Sequence, residues 1–184
     1  MRDLLRPTYI LNNIEELPFR ADITSGIKLV ALDVDGTIAD YHALPDEAAR
    51  EAMRQLGDMG LYLCLLSNAY GDRVDELNDE IGKPFAMPVI APAVVTPAGE
   101  NPKAYRKPSA AMPLYAARIH GVRPNEMLVV GDQLFKDVVC ANRAGAKGAL
   151  LPRRGEGDHP GVKLQRFPEM LVRRALGVRF EDNV

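Results

Sequence analysis

At 184 residues the chain is long enough for one domain with a buried core, and its 47% apolar and 26% charged residues are those of an ordinary globular protein. A formal net charge of −2 excludes a strong, uniform attraction to nucleic acid, and no run approaches the roughly 18 apolar residues that suggest a membrane span. Two cysteines, Cys64 and Cys140, are no disulfide framework, and the lack of any CxxC or Cys/His cluster excludes structural zinc.

Residues 1–27 precede the first clear strand. They carry Leu4, Leu5, Tyr9, Ile10, Leu11, Ile14, Leu17 and Phe19, too many apolar side chains for a disordered tail. The expectation is an arm docked on the core, with a short helix over 13–17. An amphipathic foot on anionic lipid, with Arg2 and Arg6 toward the headgroups, is the alternative. Early acids and asparagines and the lack of an apolar h-region give no secretory signal. The expected location is cytoplasmic, with peripheral membrane contact allowed.

Residues 28–40 read KLVALDVDGTIAD. The run over 28–32 suits a strand buried on both faces of a parallel sheet, and it leads straight into Asp33 and Asp35. Carboxylates at i and i+2 cannot both enter a dry core, because each unpaired charge would cost roughly several kcal/mol. Just past a strand's carboxyl end, where open α/β sheets gather ligands, they could share a cation and leave one oxygen free to attack. Gly36 then lets the backbone turn and present N–H groups to an anion. Taken alone, the stretch also fits an acidic turn in which Asp33 or Asp35 caps the next helix.

Ala49, Ala52, Met53 and Leu56 recur at helical spacing and predict a helix over 46–59, with Pro45, Asp46 and Glu47 suited to its first turn and Gly60 to its end. A second buried strand over 61–66 delivers Ser67 and Asn68 to its carboxyl end. A helix over 72–81 closed by Gly82 and a third strand over 86–91 follow. Residues 92–108 read as a loop rich in Pro and small residues, carrying Lys103, Arg106 and Lys107. Next come a helix over 109–120, with Pro113 in or near its first turn, and a fourth strand over 127–130 ending in Gly131-Asp132. A helix over 135–144 closed by Gly145, a fifth strand over 146–151 and a last helix over 168–176 complete the chain. Arg173 and Arg174 fall in that helix's last turn. His42, His120 and His159 are scattered, and ordinary surface roles suit them.

This alternation predicts an α/β fold: a doubly wound, mostly parallel, five-stranded Rossmann-like sheet forming one domain over 28–184 behind the arm. Strand ends and adjacent loops then offer Asp33 and Asp35, Ser67 and Asn68, Lys107, Asp132 and Asp137 toward one edge. Carboxylates and a backbone carbonyl suit magnesium. A hydroxyl, an amide and an ammonium can hold phosphoryl oxygens and offset their charge. Each residue has an ordinary alternative: Ser67-Asn68 a helix cap, Lys107 a solvated loop charge, Asp137 a first-turn acid. Together, at consecutive strand ends, they read as a site.

The set Asp33-x-Asp35-Gly36-Thr37, Ser67, Lys107 and Asp132 to Asp137 resembles the four motifs of the haloacid dehalogenase (HAD) superfamily of phosphohydrolases. The resemblance implies that Asp33 is a nucleophile forming an aspartyl-phosphate and Asp35 the acid/base that protonates the leaving oxygen and later activates water. It implies that Thr37 and Gly36 shape the first loop, that Ser67, with Asn68 beside it, binds the phosphoryl group, and that Lys107 neutralises nucleophile and phosphate. Asp132 would ligate Mg2+ with Asp33 and the Asp35 carbonyl, and Asp137 would act on the metal's waters. The short gaps over 38–66 and 69–106 leave no room for a cap domain, as in the capless branch, subfamily IIIA.

Within that branch the arm LRPTYILNNIEEL and the stretch GDQLFKD resemble the YqeG-type group, which is similar to phosphatases of phosphatidylglycerophosphate, although Gly36 stands where that group has Asn. A lipid phosphate would suit an open site and would employ Arg153, Arg154, Lys163 and Arg166. The ordinary reading of those bases is a solvated loop shared with Glu156 and Asp158. Two alternatives stand beside the lipid: a phosphatase of soluble sugar phosphates or nucleotides closed by homo-oligomerisation, and a protein- or ribosome-binding module on the same core.

Overall fold

The computed structural model describes residues 3–155 and 160–180, the latter by backbone course alone over 160–167. Its strands are Tyr9–Ile10 (β1), Leu29–Leu32 (β2), Tyr62–Leu66 (β3), Val89–Ile90 (β4), Met127–Gly131 (β5) and Lys147–Leu150 (β6). Its α-helices are Ala21–Thr24 (α1), Glu47–Asp58 (α2), Asp72–Leu77 (α3), Pro92–Val95 (α4), Ala111–Ile119 (α5), Val139–Ala144 (α6) and Pro160–Ala175 (α7).

The strands form one six-stranded sheet in the order β1-β6-β5-β2-β3-β4, and every pairing is parallel. The α/β, doubly wound reading therefore holds, but the sheet has one strand more than expected. The extra strand is β1, from the arm, where Tyr9 pairs with Ala149 and the Leu11 N–H donates to the Leu150 carbonyl at 3.1 Å. Two residues carry no periodicity, so β1 is set by the free edge of β6 rather than by its own sequence.

Other boundaries shift for local reasons. Residue 46 is not helical; the Asp46 carboxylate caps α2 by accepting the Ala49 N–H at 2.9 Å. The helices expected over 72–81 and 135–144 each contain a π turn, Asn78–Gly82 after α3 and Leu134–Val138 before α6. The expected loop over 92–108 holds α4 and the 3-10 turn Pro102–Tyr105. The last helix begins earlier than 168 and takes Pro168 into its length. In the arm, Ile14–Phe19 is a 3-10 turn capped by Asn13, whose carbonyl accepts the Glu16 N–H at 3.1 Å.

Alternate residues of β2 feed opposite faces of the sheet. Val30 and Leu32 join Leu11, Ile14 and Leu17 of the arm and Met53 and Leu56 of α2 in one buried cluster. Leu29 and Ala31 join Met112 and Ala116 of α5 and Ala141 of α6 in the other. Arm and α7 also meet at a smaller cluster, where Leu5, Val172 and Leu176 pack on Leu134, Val138 and Leu150. None of the helices is long and apolar enough to cross a membrane, among the described residues.

Candidate active site

Register places the site. Leu32 pairs with Leu65 of β3 and with Val130 of β5, so the residues that follow these strands emerge side by side at one edge. They are Asp33, Ser67 and Asp132, next to the point where the chain leaves β4 on one side of β2 and re-enters the sheet at β5 on the other. Asp137 returns to the same spot through the π turn, an extra-residue turn often found at working sites. It folds so tightly over Gly131 that a Cβ there would lie 2.2 Å from the Asp137 carboxyl carbon. Gly36 has φ +87°, and a Cβ on it would meet an Asp132 carboxylate oxygen at 2.8 Å, so both glycines are required by close approach.

Oxygens of Asp33, Asp132 and Asp137 lie within 4.8 Å of one another, and all three residues are buried. Lys107 Nζ sits between two of them, 2.5 Å from Asp33 Oδ1 and 2.7 Å from Asp137 Oδ1, with its side chain 2% exposed. Burial, then the Asp137 and Asp132 carboxylates, push the Asp33 carboxyl up to about 7 against the pull of Lys107. Burial alone would lower Lys107, yet the Asp137 and Asp33 carboxylates hold it well above the ordinary lysine value. Burial and the Lys107 ammonium pull the half-buried Lys136 down.

The remaining sequence candidates take distinct places. Ser67 lines the cavity, its hydroxyl accepting the Ala69 N–H at 3.2 Å. Asn68 uses its side chain on the backbone of Lys107: its carbonyl accepts the Lys107 N–H at 2.8 Å and its amide donates to the Lys107 carbonyl at 3.3 Å. It lines the cavity as well, and these bonds hold the Lys107 backbone in place. Thr37 is buried, and its hydroxyl has no hydrogen-bond partner among the described residues. Asp35 stands apart from the buried cluster, half-exposed, accepting the His42 N–H at 3.0 Å and an Arg73 guanidinium N–H at 3.3 Å.

Two positioning groups escaped the sequence reading. Arg73 is buried at the start of α3, where it also donates to the Ala43 carbonyl at 3.0 Å and pairs with Glu76 at 2.8 Å. Arg173 of α7 donates to the Asp132 carbonyl and pairs with Glu169, which in turn accepts the Leu134 N–H at 2.6 Å. The i, i+4 spacing of Glu169 and Arg173 signalled a helical pair but not its target. His42, expected as a bland surface residue, lies on the cavity rim.

Arg153 and Arg154 are spent internally. Arg154 pairs with Glu15 of the arm at 2.7 Å and Asp46 at 2.6 Å, and its N–H donates to the Gly36 carbonyl at 2.7 Å; Arg153 pairs with Asp40 at 3.3 Å. They tie the arm and α2 to the catalytic loop. The expectations for Arg2, Glu156, Asp158 and His159, and for the side chains of Lys163 and Arg166, lie outside the described residues.

Comparison with known proteins agrees with this geometry. Residues 104–172, which include Lys107, Asp132 and Asp137, match the HAD-hydrolase-like family model. A HAD family hydrolase from Deinococcus radiodurans R1, solved with bound phosphate and sodium, aligns with TM-score 0.52 and 16% identity over 83% of this chain and 96% of that one. This is a HAD-like fold. An uncharacterized protein from Listeria monocytogenes serotype 4b shares the HAD-like architecture of this chain with TM-score 0.51 and 18% identity, over 79% and 97% of the two chains. The glyceraldehyde 3-phosphate phosphatase of Methanopyrus kandleri is 37% identical over 73 residues, 35% of this chain and 31% of the relative. The HAD-like chain thus spans about a third of that curated relative's length.

Proposed function

We propose that this chain is a magnesium-dependent phosphomonoesterase of the capless, YqeG-type branch, working through an aspartyl-phosphate. One observation carries the reading: three buried carboxylates and a buried ammonium converge beside the open cavity. A set of hard oxygens held this closely fits a divalent cation, and a scaffold without chemistry has no need to bury so many charges. Asp33, Asp132 and the Asp35 carbonyl would hold Mg2+, with Asp137 acting on its waters. When bound, the metal would temper the repulsion between Asp33 and the phosphate dianion.

The protein's own groups do the rest. Asp33 attacks phosphorus and the ester P–O bond breaks. Asp35 gives its proton to the leaving alkoxide, then takes one from the water that opens the acyl phosphate and regenerates Asp33. Ser67 binds the phosphoryl oxygens, and Lys107, held by Asn68, offsets their charge. Arg73 and the His42 N–H orient Asp35.

The substrate proposed is phosphatidylglycerophosphate, met at a membrane surface by an uncapped site. A small soluble phosphoester is the second reading, favoured by the 73-residue likeness to a glyceraldehyde 3-phosphate phosphatase, and it would call on a second copy of the chain to cover the site. A magnesium-supplemented phosphate-release screen over lipid, sugar and nucleotide monoesters, with Asp33→Asn as the blank, tests both. Vesicle-dependent turnover supports the lipid, and turnover of soluble esters alone removes it. Release by Asp33→Asn equal to the parent on every substrate ends the phosphatase reading.

A further inference from the structure

The cavity carries more positive charge than one phosphoryl group requires. About 1050 Å³ in volume, it is walled by Lys103 and Arg106 from the loop ahead of Lys107, by Lys136 from the π turn and by Arg143 from α6. Asp33 and Asp35 are the carboxylates among its lining residues, and both belong to the floor. Among the described residues none of the four wall cations forms an ion pair, and all four line this one cavity. The chain's net charge is −2, so their gathering at one cavity does not reflect a general excess of cations.

Two of the four are also held in place. Arg106 lies over the Tyr70 ring, 5.3 Å from its centroid, and Arg143 donates to the Pro108 carbonyl at 3.0 Å. Fixed guanidinium groups lose little freedom on meeting an anion and match its oxygens with two N–H groups. Lys107 already offsets the charge at the floor.

We propose that Lys103, Arg106, Lys136 and Arg143 recognise a second anionic group, a phosphodiester or another phosphate, on the same molecule whose phosphomonoester reaches Asp33. This assigns the specificity-determining residues for the phosphatase reading and rests on it. The second group sets specificity, and the floor sets chemistry.

Three probes test it with magnesium present: glycerol 3-phosphate, which has one monoester; glycerophosphoglycerol phosphate, which adds a phosphodiester; and that headgroup on a diacyl lipid in phosphatidylcholine vesicles. The parent should favour the free headgroup over glycerol 3-phosphate in kcat/KM by about tenfold or more, and Arg106→Glu should cut that ratio by about tenfold. Arg143→Gln and Lys103→Glu should narrow it less, with melting temperatures checked for each variant. A ratio near one in the parent, a ratio unmoved by these variants, or hydrolysis of the lipid while the free headgroup is turned over no better than glycerol 3-phosphate overturns the proposal. Equal preference for free and vesicle-bound headgroup supports it and names the anion, not the acyl chain, as the determinant. Calorimetry on Asp33→Asn keeps it independent of turnover: tighter binding of headgroup than of glycerol 3-phosphate, lost in Asp33→Asn/Arg106→Glu, is expected, and equal binding overturns it. If binding behaves so while no probe is hydrolysed, the phosphatase reading fails on these substrates and the anion site stands.

Discussion

At the floor of the cavity Lys107 is almost wholly buried between Asp33 and Asp137, whereas on the wall Lys103, Arg106 and Arg143 are exposed and face no carboxylate among the described residues. In the floor each charge is surrounded by little water, so its partners decide whether it can be charged at all. On the wall water screens each cation, so its loss costs folding little and its gain from an arriving anion is correspondingly free to serve recognition. The two regions therefore differ in what the proposal asks of them: reactivity and stability of the floor, selectivity of the wall.

The severest test of that division is Asp33→Asn. Losing the proposed nucleophile should lower phosphate release by roughly 10^4-fold or more, measured as single-turnover rate with magnesium. Lys107→Met should come next, leaving Asp33 and Asp137 to face each other in a buried site. A loss of about 3–5 kcal/mol in denaturant-unfolding free energy is expected, as when one partner of a buried ion pair is removed. A loss below about 1 kcal/mol would mean that the floor is as well solvated as the wall.

Magnesium should sharpen the comparison without any mutation. Binding at Asp33 and Asp132 should stabilise the parent by about 2.7 kcal/mol at a hundredfold excess over Kd, seen as a melting shift reversed by EDTA. Asp132→Asn should weaken that shift, and Arg106→Glu should leave it in place. Arg73→Ala probes the link between floor and rim: kcat should fall roughly ten- to hundredfold with KM little changed, and Arg73→Lys should restore part of it. A fall in stability with no fall in kcat would reduce Arg73 to a structural tie between α3 and the loop at Ala43.

The last expected effect is a slope. The Asp33 carboxyl is pushed up to about 7, chiefly by burial and then by Asp137, from an ordinary value of 3.8. Between these values the folded metal-free protein binds more protons than the unfolded chain, so this group's stabilisation is full below about 4 and is lost as pH rises through about 7. The stability difference between parent and Asp33→Asn should accordingly move against the parent from pH 4 to pH 7, and a difference that is flat with pH would contradict the buried position of Asp33.

Much of this molecule was legible in the linear order of residues. Apolar runs of four or five residues ending in Asp33, Ser67 or Asp132 can be satisfied only as buried parallel strands that deliver polar groups to one edge. The helical stripe of Ala49, Ala52, Met53 and Leu56 likewise allowed one face and one partner. These are local, periodic signals; they determined the fold class and set Asp33, Ser67 and Asp132 at strand ends, while Lys107 and Asp137 were singled out by the family resemblance.

What periodicity could not carry was decided by tertiary structure. Tyr9–Ile10 became a strand because β6 had an open edge, and Asn68 turned to Lys107 because packing brought the Lys107 loop against β3's end. Arg73 carried no signal in the sequence, and Arg173 read as a last-turn helix cation, until α3 and α7 docked and aimed them at Asp35 and at the Asp132 carbonyl. Arg153 and Arg154 fitted a solvated loop or a lipid surface in the sequence, until folding set Asp40, Glu15 and Asp46 beside them. A charge's role depends on what lies within a few ångströms and how much water remains there, and residues 30 to 140 positions apart in the chain reach that distance only when the sheet has formed.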